Sequence, residues 1–401
     1  MVFYLCAFVF YLYVRIAKTL DLGGYTWYGV LVLGVEIMGA STTFLYGLNI
    51  VARPVHEPAR PDADAPGLVL VDYPYHVRIL VPVYKESLDI VAKTISAALA
   101  AKMPQGCGRT VYLCDDGKDA AKRRWCEAAG DDVVYVSGRT RKAGEMNGKS
   151  ANLNNCLAHV YPSDLAMPPH ELVCIFDADQ VANADFFLKT LPLFDAGDDV
   201  GMVLSPQVSS FEFFLGARFF LASLSLSFSV SRLLRDDRRR GVALPMLLPL
   251  LVLTAPRPPK KNENETNENA GKNRNPPRQC FYNLDPHADI FNHGNVQFWE
   301  YAQPGYDAFG FISCTGTNFL VRSRAFKEAG WSPEYTLTED FALGMELKKR
   351  KWECRYVDEY LAVGEAPEQL RNCFQQRSRW CKGHFQIMLS PVHCPLFQEG
   401  E

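Results

Sequence analysis

LVCIFDADQ, residues 172–180, begins as an unbroken apolar run and ends in two aspartates one residue apart. Leu172 to Phe176 leaves neither face for water, the pattern of an interior strand in a parallel sheet. Ligands of open α/β sheets gather beyond the carboxyl ends of the strands, and side chains at i and i+2 of an extended segment point the same way. Asp177 and Asp179 therefore share one side of that end. Two carboxylates that close repel unless a positive charge lies between them, and a hard divalent cation with oxygen ligands meets that need. An Asx turn with Asp179 as a helix N-cap is the plainer explanation of an isolated D-x-D, so the rest of the chain has to decide.

Outward from this stretch, apolar strands alternate with amphipathic segments. Residues 77–84 (VRILVPVY), 110–116 (TVYLCDD), 133–137 (VVYVS) and 200–207 (VGMVLSPQ) read as strands, and 87–101, 119–129, 149–160 and 184–194 as helices. The alternation predicts an α/β fold, a doubly wound and mostly parallel sheet with right-handed crossovers. Each strand's far end then faces one crevice. Tyr84, Lys85 and Glu86 follow the first strand, Asp115 and Asp116 the second, and Asp177 and Asp179 the fourth. That much negative charge suits a cation with a phosphorylated ligand, not a neutral small molecule. Lys149 opens KSANLNNCL, where a helix N-terminus and an ammonium both address a phosphate; a solvated surface lysine is the plain alternative.

The 401 residues are 48% apolar and 22% charged, a folded composition with room for a catalytic domain and appendages. A net charge of −3 excludes nucleic acid as a partner, which calls for a basic domain or stripe. Twelve cysteines without a C-x-x-C pair read as reduced thiols facing the cytosol. Tyr25 to Val51 has Glu36 as its only charge and Trp27 and Tyr28 at one end, which predicts a transmembrane helix and a lipid bilayer as partner. The run Val2 to Val14 is too short to span and lacks a signal peptide's basic leader, so it reads as the remnant of a preceding membrane helix. Arg15 and Lys18 before the long helix balance Arg53 and Arg60 after it, leaving orientation unset. Residues 1–52 thus form an anchor and 53–76, rich in Pro, Asp and Ala, a linker.

Seven short motifs follow in order: VPVYKE (81–86), CDDG (114–117), KSANLN (149–154), DADQ (177–180), SCTGTN (313–318), TED (338–340) and QRSRW (376–380). In these the sequence resembles the processive family 2 glycosyltransferases, above all cellulose synthases and their relatives among chitin and hyaluronan synthases. The resemblance implies a GT-A fold, with 77–207 as the nucleotide-sugar-binding half and 281–390 as the acceptor-binding and catalytic half. It implies that Tyr84 and Glu86, with Asp115 or Asp116, hold a uridine, that Lys149 holds the diphosphate, and that Asp177 and Asp179 hold the nucleotide and a Mg²⁺ or Mn²⁺. Cys314, Thr315, Gly316 and Thr317 would border the acceptor sugar. Asp340, with Thr338 and Glu339 beside it, would be the general base, and Gln376, Arg379 and Trp380 would floor the site, Arg379 on the diphosphate and Trp380 on a sugar face.

The chemistry asks for those residue types. Expelling UDP from an anomeric carbon needs a divalent ion and fixed cations on the leaving diphosphate, and the acceptor hydroxyl needs a carboxylate in reach. One base and one displacement invert the anomeric centre. The expected activity is therefore metal-dependent inverting transfer from a UDP-sugar, first UDP-glucose, to a growing β-1,4-glycan at the cytosolic face of the plasma membrane or Golgi. A chitin or hyaluronan synthase relative is the nearer alternative, and an inactive UDP-sugar-binding subunit that joins other synthase subunits the further one. Two plainer readings stand beside the motifs: Thr338 as an ordinary helix N-cap, and residues 374–388 as an amphipathic helix on a membrane surface. The sequence also departs from the family pattern. Residues 208–280 separate SPQV from FYNLDP and carry apolar runs and an Asn/Glu tract, reading as an unspliced intron or a disordered insertion. The family's further membrane helices have no counterpart after Trp380, so 391–401 reads as a truncated tail.

Overall fold

The computed structural model describes residues 2–20, 25–51, 71–141, 144–162, 167–168, 170–206 and 298–394. The expected insertion, most of the linker, the FYNLDP stretch and the tail from 395 lie outside the described residues. Contacts divide the chain into two units, one holding residues 1–45 and the other the sheet.

In the first unit, α1 (Val2–Val14) continues through a π-helical turn at Arg15–Thr19, and α2 (Thr26–Val51) follows. By length and composition α2 is apolar enough to cross a membrane over Thr26–Leu45. Its one charge does not stand alone: Glu36 is 3% exposed and accepts a bond from Arg15 Nε at 3.0 Å. Tyr4 adds a hydroxyl bond to the Ala40 carbonyl at 3.1 Å. The short run is thus a helix, and the π-helical turn that follows it supplies in Arg15 the cation a buried glutamate requires.

The second unit is built on seven strands: β1 (His76–Val83), β2 (Gly108–Asp115), β3 (Val133–Val136), β4 (Glu171–Ile175), β6 (Val200–Leu204), β7 (Phe319–Arg322) and β8 (Glu353–Tyr356). They lie side by side as β3-β2-β1-β4-β7-β6-β8, while β5 (Val181–Ala182) pairs with β9 (Ala362–Val363) in a small separate sheet. Neighbours in the large sheet are parallel except around β7, which runs against both β4 and β6. This is the mostly parallel GT-A arrangement that the motifs implied. LVCIF is an interior strand as expected, but parallel on one side only: Ile175 pairs with Leu80 of β1 and with Phe319 of the reversed β7. All five residues of β4 are buried. Under cover on both faces the apolar run is the same whichever way a neighbour runs, so the pattern carries no sign of the reversal.

Helices cover both faces. α3 (Leu88–Ala100), α4 (Ala120–Ala129) and α6 (Phe186–Thr190) lie on one; α5 (Gly148–Val160), α7 (Gln303–Asp307), α8 (Ser323–Glu328) and α9 (Glu339–Lys349) lie on the other. The period-2 geometry of a strand sorts β1 between them: Ile79 and Val81 pack with Val91, Ile95 and Phe186, and Leu80 packs with Leu153, Leu157 and Phe326. The helix expected over 184–194 is shorter, because Pro192, which lacks an N–H, follows α6 in a 3₁₀ turn at Leu191–Ala196. Reversal of β7 has a direct effect on the crevice. The 313–318 loop must enter the sheet beside the end of β4, and Asn318 N donates to the Ile175 carbonyl at 2.9 Å.

Candidate active site

At the end of β1 the Glu86 carboxylate folds back to accept from the backbone N–H of Tyr84 at 2.6 Å and of Lys85 at 3.0 Å. The Tyr84 ring is 40% exposed and carries the Arg141 guanidinium over its face at 4.3 Å. At the end of β2 the two expected aspartates take different work, Asp115 as the last strand residue and Asp116 as the first of the turn that follows. Asp115 is 1% exposed and accepts from Gly117 N (2.8 Å), Asp119 N (2.7 Å) and the Tyr135 hydroxyl (2.8 Å). Its oxygens hold the turn. Burial, followed by the hydrogen bond to Asp115, pushes the Tyr135 hydroxyl up to about 12, which keeps it a donor. Asp116 takes a two-point bond from Arg139, at 2.7 and 3.1 Å, and Arg139 also pairs with Glu145. Arg139 and Arg141 were not singled out from sequence; the signal was the basic SGRTRK between β3 and α5.

Lys149 is where the motifs meet. Asn147 caps α5, its Oδ1 accepting from Lys149 N and Ser150 N at 3.1 Å each. From that helix start, Lys149 Nζ donates to Asp177 Oδ1 at 2.5 Å and to the Gly316 carbonyl at 2.8 Å, and stands 3.8 Å from Glu339 Oε1. Burial works to lower its pKa, but the charges of Asp177 and Glu339 outweigh it and hold the ammonium protonated well above the ordinary lysine range. Asp340 joins the same group. A Cβ built on Gly316 would lie 2.9 Å from Asp340 Oδ2 and 3.4 Å from Lys149 Nζ, and φ of +90° at Gly316 favours glycine for a second reason. Lys149, expected on a diphosphate, is thus also the cation that binds the D-x-D strand end to the TED turn.

Asp179 feels the charge of Asp177. Burial first, then the charge of Asp177, raises the Asp179 carboxyl to about 6. Among the described residues no group of three or more His, Cys, Asp or Glu is placed to hold a metal. The pair still fits a divalent ion whose other ligands come from a diphosphate, because a cation relieves the repulsion that raises Asp179. The ionised Asp179 side chain is disfavoured in the fold, so without metal the folded protein loses stability as pH rises through about 6. Metal binding runs the other way. Below about pH 6 the Mn²⁺ affinity is expected to fall by up to roughly tenfold per pH unit, as one proton must leave for each ion bound. Calorimetric titration at pH 5 and 7.5 reads this, and equal affinities at the two would remove Asp179 from the ligand set.

The 313–318 loop divides into a front and a back. Cys314 (2% exposed) and Thr317 (0%) face inward. Thr317 Oγ1 accepts from Asp177 N at 2.8 Å and donates to Asn318 Oδ1 at 3.2 Å. These two were expected on the acceptor with Thr315 and Gly316; in the fold they lie at the β4–β7 junction. Thr338 immediately precedes α9 but its side chain makes no cap bond to that helix. Instead its N–H donates to Thr336 Oγ1 at 3.2 Å and its hydroxyl meets the same oxygen at 3.3 Å, so the N-cap reading fails at the side-chain level. Glu339 is 7% exposed, and Asp340 Oδ1 accepts from Phe341 N at 2.8 Å.

The Q-x-x-R-W signature lies on α10 (Leu370–Met388), which docks on this turn. The Gly383 carbonyl accepts from Thr336 Oγ1 at 3.0 Å, Gln386 Oε1 accepts from Leu337 N at 2.9 Å, and Arg379 Nη1 donates to the Leu337 carbonyl at 3.3 Å. His384 packs its ring 4.7 Å from that of Phe341. Gln376 and Trp380 are half-buried and Arg379 is exposed. The outer face of α10 carries exposed Leu370, Phe374, Phe385 and Met388 with Arg371 and Lys382 between them.

An acid pair at a strand end, a lysine at a helix start and a carboxylate in a facing helix's first turn thus lie in one crevice of the sheet. Residues 74–232 match the family described as glycosyltransferase like family 2, and residues 295–397 the one described as glycosyl transferase family group 2. The chain belongs to family 2 of the glycosyltransferases, on its cellulose synthase-like side. It is 23% identical, over 97% of its length, to the UDP-forming cellulose synthase catalytic subunit of Xanthomonas axonopodis pv. citri, and 24% identical over 97% to the UDP-forming cellulose synthase 1 catalytic subunit of Komagataeibacter xylinus. It spans 42% and 41% of those two proteins. Among solved structures, the mannosyltransferase PcManGT from Pyrobaculum calidifontis in complex with GDP-Man and Mn²⁺ aligns with 90% of this chain and 78% of its own, at 12% identity and a TM-score of 0.48.

Proposed function

We propose that this chain carries the donor-binding and transfer site of a β-glycan synthase, moving a sugar from a UDP-sugar, first UDP-glucose, to the end of a growing β-1,4-linked polysaccharide with inversion. The observation that carries it is the meeting at Lys149 of Asp177, Gly316 and the Glu339–Asp340 turn. Asp116 and Tyr84 receive the uridine. Asp177 and Asp179 hold a Mg²⁺ or Mn²⁺, which supplies positive charge to the departing diphosphate. Lys149 adds a fixed ammonium on the same side. Asp340 takes the acceptor hydroxyl's proton as the hydroxyl attacks, and because one displacement occurs, an α-linked donor yields a β-linked product. Arg379 and Trp380 bring the α10 end of the site to the acceptor, and Thr315 and Gly316 border it.

The apolar helix α2 and, separately, the apolar and basic outer face of α10 support a membrane-associated reading, with transfer on the cytosolic side and other synthase subunits as partners. Incubating the membrane-reconstituted chain with radiolabelled UDP-glucose, UDP-N-acetylglucosamine and GDP-mannose in turn, with and without Mn²⁺, tests the proposal. Transfer from UDP-glucose that requires the ion is expected. Preference for UDP-N-acetylglucosamine would move the chain to the chitin and hyaluronan synthases, and nucleotide binding without turnover of any donor would make it a binding subunit.

A further inference from the structure

We propose that Asn147 is a positioning residue for the transfer: its side-chain amide clamps the turn bearing the proton acceptor Asp340 onto the helix bearing Lys149. This rests on the transferase reading above. Asn147 is 7% exposed and makes bonds in two directions. Its Oδ1 caps α5 through Lys149 N and Ser150 N. Its Nδ2 reaches away from the helix and donates to Glu339 Oε2 at 2.6 Å and to the Thr336 carbonyl at 2.9 Å. The partners fix the amide's orientation, since two N–H groups face one end and a carbonyl and a carboxylate face the other.

What the clamp holds is the first turn of α9. Glu339 gives one oxygen to Asn147 and turns the other toward Lys149, and the next residue is Asp340. The amide thereby sets the distance between the ammonium on the donor side and the carboxylate on the acceptor side without touching substrate. The charged and titratable groups around Glu339 are Lys149 from α5, Asp177 across Lys149, Asp340 on its own helix, and from α10 Arg379 on the Leu337 carbonyl and His384 on the Phe341 ring.

Asn147→Asp isolates the clamp from the cap, because Asp and Asn cap helices about equally well. The variant keeps the acceptor for α5 and turns the donor into a carboxylate facing Glu339. UDP binding is expected within about threefold of wild type, while kcat falls on the order of a hundredfold at pH 8 and recovers by roughly tenfold at pH 6, where the two carboxyls share a proton. Adding Glu339→Gln to the same chain returns a donor to the pair though not to the Thr336 carbonyl, restores part of kcat, by roughly tenfold, and removes the pH-dependent recovery. A loss equal at both pH values, with no rescue in the double variant, overturns the proposal. Thermal unfolding of the wild type, both single variants and the double variant reads the same contact without turnover: a double variant melting above both singles supports the clamp, and additive losses overturn it. If the wild type transfers no sugar, the proposed function fails and this thermal cycle still decides the clamp. Should Asn147→Asp not fold, Asn147→Ser keeps an oxygen for the cap but loses the amide that spans to Glu339 and Thr336; a kcat loss with the donor KM unchanged supports the clamp, and unchanged kcat overturns it.

Discussion

Replacing Asp340 by Asn is expected to lower kcat by about a thousandfold while UDP affinity changes less than about threefold, the magnitude seen when a positioned proton acceptor is removed. The expectation follows from where Asp340 sits. Its carboxylate shares the Gly316 patch with Lys149, and Lys149 in turn holds Asp177 at 2.5 Å, so proton acceptor and donor-side acid are two contacts apart. An amide of the same shape preserves the Phe341 N–H bond and the packing but cannot take a proton. Initial-rate transfer assays beside UDP calorimetry separate the two effects. A variant that transfers normally would leave Asp340 as a structural acid and the crevice without a base; one that loses UDP binding in proportion would make it part of the donor site.

Gly383→Ala is the second large effect, and it acts at a distance from the reacting atoms. The added methyl would stand 2.6 Å from Thr338 Cγ2 and Oγ1 and 2.7 Å from Thr338 N. Backbone cannot yield as a flexible side chain does, so α10 must lift from the TED turn. Better helix propensity for Ala returns about 1 kcal/mol, and overpacking of this kind costs roughly 1–3 kcal/mol, so stability changes little or falls modestly. Activity is expected to fall more steeply, by about 10- to 100-fold, because a shift on the order of an ångström in a catalytic turn costs that much. Urea unfolding and kcat measured on the same preparation check the pair of numbers. Full activity in a stable variant would show that α10 and the turn do not work as one.

Much of this was legible in the sequence because strand ends announce themselves. VRILVPVY, TVYLCDD and LVCIFDAD each pass from apolar to charged within one residue, which located the crevice and its acids before any coordinates. Other features were not legible, for reasons of geometry. Asp115 and Asp116 are the same letter, and only the fold decides that Asp115, the last residue of β2, holds the turn while Asp116, within that turn, faces Arg139. Cys314 and Thr317 sit inside a motif that reads as a binding loop, yet the reversal of β7 turns both inward. Asn147 had no pattern to mark it, since its role depends on Glu339, 192 residues away. The Arg15–Glu36 pair had no pattern to mark it either, since it joins residues 21 apart across a helix break.

Thr317 carries an implication for anyone wishing to redesign the product. One hydroxyl joins the stretch that would choose the incoming glycan to the main chain of Asp177. Selectivity and ion affinity therefore share a hinge pin, and randomised libraries over 313–318 that leave this threonine intact should retain far more active members than those that vary it.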